Sequence, residues 1–124
     1  APVLRRLLIE HFADIRGLIH CSGGGQTKCL KYLPKDLLVI KDNLFEPPPV
    51  FQLIRSASGS DAREMYQVFN MGHRLEIFTT ADAAARVIGI SEAFGVDARI
   101  VGRVETATKK SLQIKTPSGE SFEI

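Results

Sequence analysis

Apolar positions at Val3, Leu4, Leu7, Leu8 and Phe12 recur at the spacing of one helix face, and Pro2 suits a first helical turn, so the chain opens on an amphipathic helix. After Gly17 the stretch Leu18-Ile19-His20-Cys21 reads as a buried strand that stops at Ser22-Gly23-Gly24-Gly25. Residues 26–32 follow as a short helix. Residues 37–40 are all apolar, which predicts a second strand in a sheet covered on both faces, with a loop over 41–46. Pro47-Pro48-Pro49 cannot lie inside a helix but suits its start, so Val50, Phe51, Leu53 and Ile54 open one that Ser58-Gly59-Ser60 ends.

Asp61 with Glu64 three residues on has the form of a capping box and starts a helix through about residue 69, with Met65, Phe69 and Val68 on one face. Asn70-Met71-Gly72 breaks it. Leu75, Ile77 and Thr79 alternate with Glu76 and Phe78 as in a strand, and Thr79 with Asp82 caps an alanine-rich helix that Gly95 ends in a left-handed conformation. Residues 98–105 form another strand, 106–110 a turn, and Leu112 and Ile114 mark a further strand. Pro117-Ser118-Gly119 then turns the chain into a last strand with Phe122 and Ile124. The last three strands lie close enough in sequence to pair as hairpins, so the expected class is α/β (α+β), a mixed sheet covered by helices.

Composition narrows the picture. Of 124 residues, 44% are hydrophobic and 24% charged, as in one globular domain. A chain of this length buries roughly two-thirds of its unfolded surface, enough for a core without disulfide or metal staples. Sixteen Lys and Arg against fourteen Asp and Glu give a net charge of +2 with the signs interspersed, and there is no Trp for a stacking platform. No nucleic-acid partner is expected. Cys21 and Cys29, with seven residues between them, match neither zinc-ligand spacing nor a CxxC pair. They read as reduced thiols of a cytoplasmic protein, with no metal site. The apolar runs fall far short of the ~20 residues of a membrane span, and a signal-peptide layout is missing, so no membrane partner is expected. The chain starts at Ala1-Pro2 without Met and reads as a piece of a longer protein, so a site shared with another domain would be half visible.

The most informative chemistry lies in His20-Cys21-Ser22-Gly23-Gly24-Gly25, a strand end running into three glycines before a helix. Glycines let backbone N–H groups approach an anion closely, and a helix start favours negative charge. The segment matches neither the P-loop nor the dinucleotide fingerprint, and a tight turn is the plainer alternative. His20 has an ordinary pKa of ~6.5, suited to proton transfer or to donating to a phosphate, with a hydrogen-bonded structural histidine as the alternative. Ser22 is a ligand donor or a helix cap. His11 and His73 are isolated and read as surface or structural. In Glu64-Met65-Tyr66-Gln67-Val68-Phe69-Asn70-Met71-Gly72, Asn70 and Gly72 present polar groups to a cleft or form a C-cap.

Together these two segments resemble the C-terminal domain of the phosphoribosylformylglycinamidine cyclo-ligase family, also called aminoimidazole ribonucleotide synthetase. The likeness rests on the His-x-Thr/Ser-Gly-Gly-Gly element at His20 to Gly25 and the Glu-Met-Tyr-x-x-Phe-Asn-Met-Gly element at Glu64 to Gly72. Pro48-Pro49-x-Phe51 and Gly102 extend it over nearly the whole chain. The resemblance implies a partly ferredoxin-like topology and a single C-terminal, substrate-side domain over 1–124. It also implies a cytoplasmic homodimer whose N-terminal domain, absent from this sequence, supplies most contacts to ATP and Mg²⁺. The implied reaction closes the imidazole ring of a purine precursor ribonucleotide: ATP phosphorylates the formyl amide oxygen, the amidine nitrogen attacks and phosphate leaves. An amide oxygen is a poor leaving group, so its phosphate ester lowers the barrier. Carried over by position, His20 is the proton-transfer or phosphate-polarising group. Ser22, Gly23, Gly24, Gly25, Lys28 and Asn70 are the substrate- and phosphate-binding set. The fragment alone is expected not to turn over.

The sequence departs from the pattern in two places. Many members carry Glu-Asn-x-Pro-Arg after the glycines, where this chain has Gln26-Thr27-Lys28-Cys29-Leu30-Lys31 and is one residue shorter. Lys28 or Lys31 can supply the charge of that Arg but not its bidentate geometry. His73-Arg74 replaces a small, apolar continuation. Two other readings stay open: another ATP-dependent amide- or oxyanion-activating member of the superfamily, such as formylglycinamidine ribonucleotide synthetase or selenophosphate synthetase, and a non-catalytic assembly or regulatory domain.

Overall fold

A computed structural model describes residues 2–21 and 25–124. In chain order the elements are α1 (Pro2–Glu10), β1 (Ile15–His20), β2 (Leu37–Lys41), α2 (Pro49–Ser58), α3 (Ala62–Val68), β3 (Leu75–Thr79), α4 (Ala81–Ala93), β4 (Gly102–Thr106), β5 (Ser111–Lys115) and β6 (Ser121–Glu123). Short 3-10 segments occupy Phe12–Asp14 and Gly25–Lys31. The architecture is α+β, and the contacts divide the chain into two compact units.

The first unit comprises residues up to Leu18 together with Glu76–Ile100. β1 and β3 pair as a two-stranded sheet. Leu7, Val87 and Ile90 form the buried core, with Val3, Ile15 and Ile77 packed against it. The apolar stripe of α1 is narrower than its spacing predicts: Leu7 is buried, whereas Leu8 and Phe12 are 40% and 71% exposed. The helix stops before Phe12 because His11 leaves helical backbone at φ −131°. The cap of α4 is Thr80 rather than Thr79. Thr80 Oγ1 accepts from Ala83 N at 3.3 Å, while Thr79 still belongs to β3 and donates to the Asp14 carbonyl at 2.6 Å. Gly95 takes the left-handed conformation expected of it, φ +73°.

The second unit comprises Ile19–Leu75 and Val101–Ile124. Its four-stranded sheet has the order β4-β2-β5-β6. β2 runs antiparallel to β4, with Lys41 opposite Gly102, and parallel to β5, with Lys41 opposite Ile114. Only β5 and β6 form the expected hairpin; β4 and β5 do not pair, because β2 lies between them. The strand expected over 98–105 begins only at Gly102. Just before it, the Val101 carbonyl accepts from both Asp42 N and Asn43 N, which turns the chain out of the ladder. On α3 the buried side chains are Ala62, Met65 and Tyr66, while Val68 is 57% exposed. Asp61 caps this helix as predicted, accepting from Glu64 N at 2.8 Å. Arg55 on α2 grips Glu120 in the β5–β6 turn with both terminal nitrogens and holds its carboxyl below the ordinary range.

Two outcomes follow for stability. A Cβ on Gly102 would overlap the Ile40 carbonyl, whereas one on the exposed Gly89 of α4 meets nothing. In urea unfolding, Gly102→Ala should therefore lose about 3 kcal/mol, and Gly89→Ala should gain about 0.5–1 kcal/mol. Burial, followed by the nearby Glu46 and Glu120 charges, pushes the Tyr66 phenol up to about 12. The folded state thus holds this proton more tightly than the unfolded chain, at an ordinary value of about 10. The associated stability is fully present below pH ~10 and disappears as pH rises through ~12, so Tyr66→Phe should flatten the alkaline limb of a stability–pH curve.

Candidate functional site

His20 is the last residue of β1, and its side chain is exposed. Its carbonyl accepts from Lys28 Nζ at 2.8 Å, so the 3-10 segment that starts at Gly25 folds Lys28 back against the strand end. Ser22, Gly23 and Gly24 lie outside the described residues. The chain on either side of them is held tightly. Cys21 N donates to the Arg74 carbonyl at 2.8 Å, and the Cys21 carbonyl accepts from Asn70 Nδ2 at 3.3 Å.

Gly25 has φ +51°, and a Cβ there would run into the backbone of Phe69. This glycine therefore meets two demands at once, left-handed backbone and close approach of another chain segment. The approach brings the end of α3 and the following Asn70 against the turn. Asn70 Oδ1 accepts from Gly72 N at 2.9 Å, a local turn in which Met71 takes a left-handed φ of +54°.

Beneath this turn lies a buried polar pair. Gln26 and Lys41 are 1% and 2% exposed. An ammonium pays heavily for leaving water unless acceptors replace the solvent. Lys41 Nζ donates to the Gln26 carbonyl at 2.9 Å and to Gln26 Oε1 at 2.8 Å. Gln26 Nε2 in turn donates to the Asn70 carbonyl at 2.7 Å. His73, also buried, accepts from Phe45 N on Nε2 at 3.1 Å. Both cysteines are free and buried.

The structure thus brings the His20 carbonyl and Lys28 together at the end of β1, and sets Gly25 against Phe69 and Asn70 against Cys21. Both polar ends of Asn70 and the ammonium of Lys28 are engaged by backbone groups. Sequence reasoning missed Gln26 and Lys41. The signal for Lys41 was present in strand periodicity: it shares a face with buried Val39, and so belongs inside although it is charged. Among the described residues, no three His, Cys, Asp or Glu side chains converge as a cation site would require. No described helix is long and apolar enough to cross a membrane.

The α+β fold also occurs in a protein of known structure. Escherichia coli HypE, a hydrogenase maturation protein, matches 99% of this chain over 38% of its own, with a TM-score of 0.66 at 19% identity, which establishes the shared fold. Residues 2–115 match the family described as "AIR synthase related protein, C-terminal domain", and the chain belongs to that family. The phosphoribosylformylglycinamidine cyclo-ligase of Methanococcus vannielii is 37% identical over 93 residues, covering 75% of this chain and 26% of that protein. That of Methanothermobacter thermautotrophicus is 36% identical over 117 residues, covering 94% and 33%. That of Aromatoleum aromaticum is 31% identical over 101 residues, covering 80% and 29%. The chain therefore spans about a quarter to a third of the length of these curated relatives.

Gly25→Ala tests the bracing directly. The substitution should cost about 2–3 kcal/mol in chemical denaturation, since it forces both a strained φ and a displacement of Phe69.

Proposed function

We propose that this chain is the substrate-side, C-terminal domain of an ATP-dependent phosphoribosylformylglycinamidine cyclo-ligase, which closes the imidazole ring of aminoimidazole ribonucleotide. The observation that carries the reading is the family match across 2–115, joined by relatives of that name at 36–37% identity. In the complete enzyme ATP transfers its terminal phosphoryl group to the formyl amide oxygen, releasing ADP. The amidine nitrogen attacks the activated carbon, and the C–O bond breaks with loss of phosphate. Positioning and charge neutralisation carry much of such a transfer.

The residues of this chain support the acceptor side of that chemistry. His20 is exposed at the strand end, where it can move a proton or polarise the phosphate. In this reading Ser22, Gly23, Gly24 and Gly25 are the phosphate-binding residues, and Lys28 adds positive charge beside the His20 carbonyl. Asn70 frames the same end from the loop after α3. ATP and Mg²⁺ are bound mainly by a preceding domain, the complete enzyme is a cytoplasmic homodimer, and the fragment alone does not turn over.

The test uses the longer parent protein and follows ADP release with and without formylglycinamidine ribonucleotide. Substrate-dependent release with imidazole formation is expected, and His20→Ala should lower turnover by ~10²-fold. A folded parent that binds ATP but ignores this ribonucleotide would point to another amide- or oxyanion-activating relative.

A further inference from the structure

The hydrogen bonds beneath the glycine segment run in one direction. Lys41 Nζ has only protons to give, so Gln26 must turn Oε1 toward it, which leaves Nε2 aimed at the Asn70 carbonyl. Asn70 must turn Oδ1 toward Gly72 N, which leaves Nδ2 aimed at the Cys21 carbonyl. Neither amide can flip without setting donor against donor or acceptor against acceptor. Gln26 Nε2 thus anchors the main-chain carbonyl of Asn70, which also accepts from His73 N at 3.1 Å, and the Asn70 side chain, set by Gly72 N, reaches the Cys21 carbonyl. Gln26 and Lys41 lie inside, and their role is exerted through Asn70. Lys41 also grips the Gln26 carbonyl, on the far side of the same segment. Both shoulders of residues 22–24 are thus fixed from one buried ammonium.

We infer that Lys41 and Gln26 are positioning residues: together they orient Asn70 and hold the Cys21 and Gly25–Gln26 shoulders in register for a phosphate-bearing substrate. The inference deepens the cyclo-ligase reading and rests on it for the identity of the substrate, while the relay itself stands on the hydrogen bonds. Its geometry makes the informative substitution Gln26→Glu. A carboxylate still accepts from Lys41, keeping the ammonium satisfied, but it has no proton for Asn70 and sets one acceptor against another across 2.7 Å. Asn70→Asp breaks the next link in the same way, retaining the bond from Gly72 N and losing the one to Cys21.

The experiment uses the full-length parent protein, with two readouts on Gln26→Glu, Asn70→Asp and the double variant. The first is amide hydrogen exchange in the peptide covering residues 19–27. The second is KM for formylglycinamidine ribonucleotide, kept separate from kcat. Each single variant should speed exchange in that peptide and raise KM, both by about tenfold, with the larger change in KM rather than kcat. The thermal midpoint should stay within about 4 °C of the parent's. The double variant should be no worse than the worse single one, because the links lie in series. Parent-like exchange and KM in folded single variants would overturn the inference, as would effects that multiply in the double variant. If Gln26→Glu fails to fold, Lys41→Met, which removes the ammonium that turns Gln26 while keeping an apolar side chain of similar length, decides by the same two readouts. If the parent shows no substrate-dependent ADP release, the cyclo-ligase reading fails, and the exchange readout alone still decides for or against the relay.

Discussion

The constraint on which the second unit turns is the burial of one ammonium group. Lys41 closes the central strand of a four-stranded sheet, where a charge without acceptors would be intolerable. The acceptors come from Gln26, in a different part of the chain, so the strand and the 3-10 turn must reach their places together. Gly102 stands opposite Lys41 on the neighbouring strand, and its missing side chain lets that strand close over Ile40. Gly25 does the corresponding service on the other side, admitting the backbone of Phe69. The ammonium is thus bound by the carbonyl and the amide oxygen of Gln26, on a strand and a turn that each close against a glycine.

Much of the fold was legible in the sequence where a local rule has no strong rival. Pro49 at a helix start, Asp61 as a cap and Gly95 after α4 each do what their chemistry prescribes. The failures occurred where tertiary pairing decides. Nothing local to residues 98–115 says that β2 will enter between β4 and β5, so neighbouring strands were read as a hairpin. Thr79 and Thr80 are both plausible caps by composition; the extent of β3 chooses between them. On α3, helical spacing named an apolar face through Val68, but the core takes Tyr66 instead, a side chain whose ring is apolar enough to bury.

The candidate site was legible as a constellation of residue types and less so as an arrangement. Two ordered motifs brought His20, Gly25, Lys28 and Asn70 forward, and the fold collects them within one unit. What the motifs could not supply was the support underneath. Gln26 registered only as a departure from a family pattern, although its amide is the connector between a charge and a loop.

The order β4-β2-β5 has a further consequence, for how the protein comes into being. Both neighbours of β2 are drawn from residues 102–115, so Lys41 meets its opposite residue, Gly102, only after an intervening stretch that includes the whole of α4. During synthesis the strand that anchors the site emerges early and has no ladder to join until that later stretch has left the ribosome. Its apolar residues Leu37 to Ile40 are for that interval an open-edged, aggregation-prone segment. Closure of long, non-local pairings is slow. Completion of the sheet around Lys41 is therefore a late event that waits for residues 102–115.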